Sequence, residues 1–180
     1  MDERGRGRGK IPAELIGKAF VDINRQIIPN RDYIFDGGRA GLKSSFISLK
    51  VPELVENNPT MHACIVRKQT NTLKDSVYSQ IQWAINELGI AGDFDFKVSP
   101  LEITLKKTGQ KIYFRGCDDP VKLKSIKPPF GHIGILWVEE LDQLAGAAEL
   151  RSVKQSILRG GVDSYFFASY NPPKSRANWV

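Results

Sequence analysis

Residues Ile133–Val138 read IGILWV, six positions without a polar side chain, and the run stops at two adjacent carboxylates, Glu139 and Glu140. A strand covered on one face alternates apolar and polar residues. One that does not alternate must be covered on both faces, as in a sheet with helices on each side. Six residues are also too few for a buried helix. The chain is therefore constrained toward a layered α/β arrangement with this segment as a central strand.

The remaining segments fit that frame. In AELIGKAFVDINRQII, residues 13–28, Leu15, Ile16, Phe20, Ile23 and Ile27 are spaced as one helix face. Tyr33-Ile34-Phe35 is a short apolar run entering Asp36-Gly37-Gly38, a buried strand followed by a turn. Helical spacing resumes from Ser44 to Val55, and Met61–Val66 reads as a second strand. Residues 71–88 read as a helix stopped by Gly89, with Trp83 expected on its core-facing side. Leu101–Leu105 and Lys111–Phe114 flank Thr108-Gly109, the signature of a hairpin. Asp118-Asp119-Pro120 is expected to turn, Ala147–Leu158 to form a helix, and Tyr165–Ala168 to form a last strand closed by Asn171-Pro172-Pro173. Strands alternating with helices predict a mostly parallel sheet flanked by helices, with one inserted antiparallel hairpin. The 180 residues suit one domain, expected over 13–180 after a basic Gly/Arg tail at 1–12 that is expected to be disordered.

Composition narrows the class. No run approaches the roughly 18 apolar residues of a membrane helix. Cys64 and Cys117 lie far apart without a partner pattern, as expected of a reduced intracellular protein. His62 and His132 stand alone, without ligand spacing. The net charge of +6 is unevenly placed: Ile103–Lys127 holds seven lysines and arginines against two aspartates, a balance of +5. Either a polyanionic partner or a solvated hairpin accounts for it.

Three pieces carry chemistry. Gly37-Gly38-Arg39-Ala40-Gly41-Leu42-Lys43-Ser44 lies between a predicted strand and a predicted helix. The phosphate-loop pattern G-x-x-x-x-G-K-[ST] wants glycine where Leu42 stands. The remaining glycines still let backbone N–H groups turn toward phosphate at a positive helix end. Lys43, expected to be solvated at the loop tip, would reach the β/γ-phosphates, and the Ser44 hydroxyl would ligate Mg²⁺. Glu139 and Glu140 form the second piece, the first for the Mg²⁺ shell and the second to activate the attacking water. Strand neighbours point in opposite directions, so the strand tip must curl to use both. Alternatively the pair caps the next helix. Ser169-Tyr170-Asn171-Pro172-Pro173 is the third, a polar strand tip suited to sensing the γ-phosphate. Their order is that of a P-loop NTPase (ASCE, RecA-like) with a separate catalytic glutamate.

The stretches GGRAGLKSS, IVRKQTNTLKDSVY, FRGCDDPVKLKSIK, ILWVEELDQL and SYNPP resemble the large terminase subunits of tailed phages over roughly residues 30–180. In that family the loop is similar to G-x-R-x-[GS]-x-K-[ST], which admits Leu42, and SYNPP resembles the motif coupling hydrolysis to DNA movement. The resemblance implies an ATPase that binds ATP and Mg²⁺ and drives double-stranded DNA into a procapsid. The nucleotide site is then Gly37, Gly38, Arg39, Ala40, Gly41, Leu42, Lys43, Ser44, Ser45 and Asn171, with Ser44 and Glu139 toward Mg²⁺ and Glu140 as the base. Arg39 is either a cis arginine finger or a local partner of Glu139 or Glu140. Arg67 is either a finger acting across a subunit boundary or a surface charge. Lys106, Lys107 and Lys111 are the candidate DNA contacts, and Arg31 or Tyr33 the candidate adenine contacts. A homo-oligomeric ring, the small terminase subunit, the portal protein and a location at the procapsid portal in the infected bacterial cytoplasm are implied partners and place. The family's nuclease domain and the last part of the ATPase domain, with an edge strand and lid, are expected to lie outside these residues. A helicase or other ring ATPase, or a non-catalytic nucleotide- or DNA-binding module, are the alternatives.

Overall fold

In the computed structural model the described residues are 10–38, 42–159, 162–172 and 178–180. Among the described residues seven strands form one sheet: β1 (Arg31–Phe35), β2 (Met61–Arg67), β3 (Phe94–Val98), β4 (Leu101–Leu105), β5 (Lys111–Gly116), β6 (His132–Glu139) and β7 (Tyr165–Ser169). Their order across the sheet is β1-β7-β6-β2-β5-β4-β3. β1, β7, β6, β2 and β5 are parallel, and β4 and β3 add to the β5 edge in antiparallel fashion. The expected hairpin is therefore a meander. β3, whose FDFKV alternates apolar and charged residues, extends it.

The α-helices are α1 (Lys18–Gln26), α2 (Lys43–Asn57), α3 (Ser79–Glu87), α4 (Pro120–Ser125) and α5 (Ala147–Ile157). Successive residues of β2 and β6 feed opposite layers. Ala63, Ile65, Ile135 and Trp137 pack with the buried residues of α2 and α3, while Cys64, Val66, Leu136 and Val138 pack with those of α4 and α5. This two-sided cover is why IGILWV carries no polar side chain. Trp137 is fully buried, as its strand position predicts.

Four expectations are corrected. Residues 13–28 are not one helix: a 3-10 turn at Ala13–Leu15 precedes α1, and the break falls at Gly17. A Cβ there would lie 3.1 Å from Leu42 Cδ1, so glycine permits the approach. Residues 71–88 are also interrupted, by a 3-10 turn at Thr70–Thr72 and a π-helical stretch at Lys74–Tyr78 before α3. Trp83 is 40% exposed, because Ile81, Ala84 and Ile85 occupy the inward face of α3 and position 83 falls outside it. Asp118-Asp119-Pro120 opens a helix. Asp119 caps it by accepting from Lys122 N (3.0 Å), and Pro120 sits in the first turn, where no donor is needed. No helix of the described residues is long and apolar enough to cross a membrane.

Candidate functional site

The sequence-predicted pieces meet at the carboxyl ends of the parallel strands, where ligands bind in open α/β sheets. β1 delivers Asp36-Gly37-Gly38, and α2 begins at Lys43. Arg39, Ala40 and Gly41 lie outside the described residues. Leu42 holds a left-handed backbone, φ 55°, which L-residues other than glycine adopt at a cost of about 1–2 kcal/mol. The glycine of the phosphate-loop pattern stands where this conformation is required. Leucine meets the requirement under strain, with its side chain against Gly17.

Lys43 is not solvated at a loop tip. It is 7% exposed, and Nζ donates to Gly37 O (2.6 Å), Gly38 O (3.0 Å) and Asn171 Oδ1 (3.2 Å). One ammonium thus joins the first and third sequence pieces. The register between β6 and β7 places Glu139 beside Ser169, and Trp137 Nε1 donates to Ser169 Oγ (3.0 Å).

The strand tip curls as two adjacent carboxylates require. Glu140 has φ 54° and ψ 53°, a left-handed kink directly after β6. Both carboxylates then reach one cation, Arg67, at the end of β2. Arg67 Nε lies 3.0 Å from Glu139 Oε2, off the hydrogen-bonding angle, and Nη2 pairs with Glu140 Oε2. Arg67 Nη1 also donates to Ser76 Oγ (2.9 Å) and Thr72 O (3.3 Å). At 8% exposure, Arg67 is no surface charge: in this chain its guanidinium pairs with Glu139 and Glu140. Arg39, the sequence candidate for such a pairing, lies outside the described residues.

Burial pushes the Glu139 carboxyl up to about 7, and the Glu140 charge adds to the rise. Arg67 and a hydrogen bond from the Ser44 hydroxyl oppose it. Desolvation prevails over an arginine only 3.0 Å away. Glu139 Oε2 is buried beside Arg67 Nε without a hydrogen bond of good geometry, and the same carboxyl is hydrogen-bonded by Ser44. A hard divalent ion with its waters satisfies such an oxygen, so Ser44 and Glu139 fit Mg²⁺.

Leu42, Lys43, Ser44, Ser45, Glu139, Glu140 and Asn171 all line one cavity of about 300 Å³. Ser169, Tyr170 and Gln80 complete it. Gln80, from α3, belongs to no recognisable motif. Only the fold brings it to the site. The candidate adenine residues Arg31 and Tyr33 line a different cavity, of about 510 Å³, between α1 and the edge strand β1. The Tyr33 hydroxyl is engaged there with Ile28 N (2.8 Å).

The candidate DNA lysines lie elsewhere. Lys106 and Lys107 follow β4 and precede β5, at the sheet edge opposite the site. That end of the meander is tied down by Gln110, whose Nε2 lies 2.6 Å from Met61 O and 2.9 Å from Val55 O. Lys106 Nζ donates to Gly92 O (2.9 Å) and pairs with Asp95 (3.5 Å). Lys111 is half-buried and pairs with Glu102 (2.8 Å). Lys107 is exposed.

A sequence profile described as phage terminase large subunit matches residues 30–180. The chain is 35% identical over 167 residues to the terminase large subunit of Bacillus phage SPP1, covering 89% of this chain and 39% of that one. Among solved structures, an ATPase-domain mutant of the Thermus phage P74-26 large terminase superposes with a TM-score of 0.60 at 12% identity. That match covers 87% of this chain and 65% of that one. The large terminase of a thermophilic bacteriophage in complex with ADP superposes with a TM-score of 0.54 at 17% identity, over 79% of this chain and 33% of that one. The shared fold is that of a P-loop NTPase, and the chain spans about two fifths of the SPP1 relative's length.

Proposed function

The chain belongs to the phage terminase large subunit family, and from that membership we propose that it is the ATP-hydrolysing part of a motor that moves double-stranded DNA. The carrying observation is the convergence of Lys43, Ser44, Glu139, Glu140 and Asn171 on one cavity at the carboxyl edge of the sheet. Gly37, Gly38 and the segment to Ser45 would cradle the phosphates. Lys43 Nζ, already surrounded by carbonyl oxygens, would exchange some of them for β/γ-phosphate oxygens. Ser44 and Glu139 would hold Mg²⁺, which supplies charge neutralisation when bound. Glu140, half-exposed and turned by its left-handed backbone, would take the proton of the attacking water. Arg67 spans both carboxylates and so sets their charge and direction in cis. Asn171, which accepts from Lys43, would link the γ-phosphate end to the tip of β7. The finer partners follow the family: duplex DNA, the small subunit, the portal protein and a ring of copies at the procapsid portal in the host cytoplasm.

The test separates binding from turnover. Glu140→Gln is expected to keep ATP affinity within about twofold while hydrolysis falls about 100-fold or more, the general-base contribution. Parent-like turnover by Glu140→Gln, in a preparation whose activity depends on Lys43, would remove Glu140 from this role.

A further inference from the structure

Within the basic stretch Lys106 and Lys107 follow β4 at the far end of the sheet, while Lys111 and Arg115 line one cleft with Lys122 and Lys127. The first part of the stretch is met by carboxylates: Lys106 by Asp95, Lys111 and Arg115 by Glu102. Its second part holds one such pair among the described residues, between Lys122 and Asp119. Lys122, Lys124 and Lys127 are all exposed on and just after α4, and Arg159 joins them by donating from Nη2 to Lys124 O (2.6 Å). Asp119 is their carboxylate neighbour, an i,i+3 partner of Lys122 at 2.9 Å. The Lys122 side chain is 70% exposed. Such a surface pair is worth at most about 1 kcal/mol, so a phosphate can compete for the lysine.

α4 starts where β5 ends, at the sheet edge that holds the nucleotide cavity. Its entry is pinned there: Asp118 accepts from Thr70 N (3.0 Å) and from Thr70 Oγ1 (2.5 Å). Thr70 opens the segment that holds Arg67 through Thr72 and Ser76. Beside α4 runs a cleft of about 570 Å³, lined by Lys122 and Lys127 from the α4 side and Lys111 and Arg115 from β5, with Glu102 and Asp119 as its carboxylates. The neighbouring aromatics Tyr113 and Phe114 are 4% and 2% exposed, so they offer no platform for stacked bases. The surface is suited to a sugar-phosphate backbone and not to unpaired bases.

Resting on the motor function proposed above, we propose that the α4 ridge, Lys122, Lys124, Lys127 and Arg159, and not the hairpin tip at Lys106 and Lys107, grips the phosphates of duplex DNA. The experiment is an anisotropy titration of two unrelated labelled duplexes over several salt concentrations. It compares the parent chain, a Lys122→Glu/Lys124→Glu/Lys127→Glu variant and a Lys106→Glu/Lys107→Glu variant. Each phosphate neutralised contributes about −0.9 to the log–log salt slope, so loss of three contacts flattens it by about 2.7. The ridge variant is expected to show that flattening and weak binding at low salt. The tip variant is expected to keep the parent slope. Neither set touches the nucleotide cavity, so ATP affinity measured on the same preparations serves as the check on folding. Parent-like DNA binding by the ridge variant, or loss confined to the tip variant, overturns the proposal. A parent that binds no duplex at low salt while still binding ATP overturns the DNA-motor assignment beneath it, and the proposal with it.

Discussion

Replacing Arg67 by methionine keeps the stem and removes a guanidinium held between two carboxylates. Removing one partner of a buried ion pair typically costs about 3–5 kcal/mol, because the other charge is left uncompensated. Glu139, whose side chain is 13% exposed, bears most of that cost. The Glu140 side chain is 47% exposed and is largely screened by water, so its share is small. An expected loss of about 3 kcal/mol at pH 8.5 follows, part of it from the bonds to Ser76 and Thr72. The loss has a direction in pH. The Glu139 carboxyl titrates near 7 in the fold against 4.5 ordinarily, so the folded state holds its proton more tightly than the unfolded chain. Stability from this group is greatest below about pH 4.5 and declines as pH rises to 7. Without Arg67 the folded value moves higher still, and the decline continues to a higher pH. Each further pH unit adds about 1.4 kcal/mol to the penalty. At pH 5.5 Glu139 is protonated in both proteins, and only about 1–1.5 kcal/mol should remain. Urea unfolding at pH 5.5 and 8.5 measures both penalties, and Glu139→Gln added to Arg67→Met should recover most of the loss at pH 8.5. Equal penalties at the two pH values would mean that Arg67 acts through packing and its bonds to Ser76 and Thr72, and that the charge account is wrong.

Two further outcomes are expected. Mg²⁺-dependent nucleotide affinity should fall as pH drops below 7, by up to about tenfold per unit, because an ion needs the ionised Glu139. Calorimetry across pH 5.5–8.5 checks this, and Glu139→Gln should abolish the dependence. Gly116→Ala should destabilise by about 2–3 kcal/mol or displace the Thr70 segment, since its Cβ would fall 2.2 Å from Thr70 Oγ1 and 2.6 Å from Thr70 N. A melting temperature within about 2 °C of the parent would show that this approach is not tight in solution.

The layered fold was legible because its signals are local. A strand covered on both faces cannot alternate, and IGILWV does not. The nucleotide site was legible in order along the chain, since each piece ends or begins a regular element. What escaped depends on registry. Parallel pairing of Val66 with Val138 is what sets Arg67 beside Glu139, and no local pattern records which strands pair. Thus Arg67 reads as a surface charge or a cross-subunit finger in sequence and is a buried partner of both carboxylates in the fold. Lys43 looks solvated when only its loop is considered. Asn171, 128 residues away, helps enclose it. The basic stretch of +5 is contiguous in sequence, but Asp95 and Glu102 come to pair with Lys106, Lys111 and Arg115 only once β3, β4 and β5 are laid side by side. Trp83 follows the same logic: its helix is broken by the π-helical stretch at Lys74–Tyr78, and the inward face passes to Ile81, Ala84 and Ile85.

The central claim is that the cavity bounded by Lys43, Ser44, Glu139, Glu140 and Asn171 receives the phosphates of ATP. Calorimetric titration of ATP into the parent chain and into Lys43→Ala, with and without Mg²⁺, addresses it directly. A buried charge-assisted contact to phosphate is worth about 1.5–3 kcal/mol, so affinity should fall about 10- to 100-fold in Lys43→Ala. In the parent it should rise when Mg²⁺ is present. Equal affinity in the two proteins, each shown to be folded by its unfolding transition, would contradict the assignment of this cavity to the nucleotide.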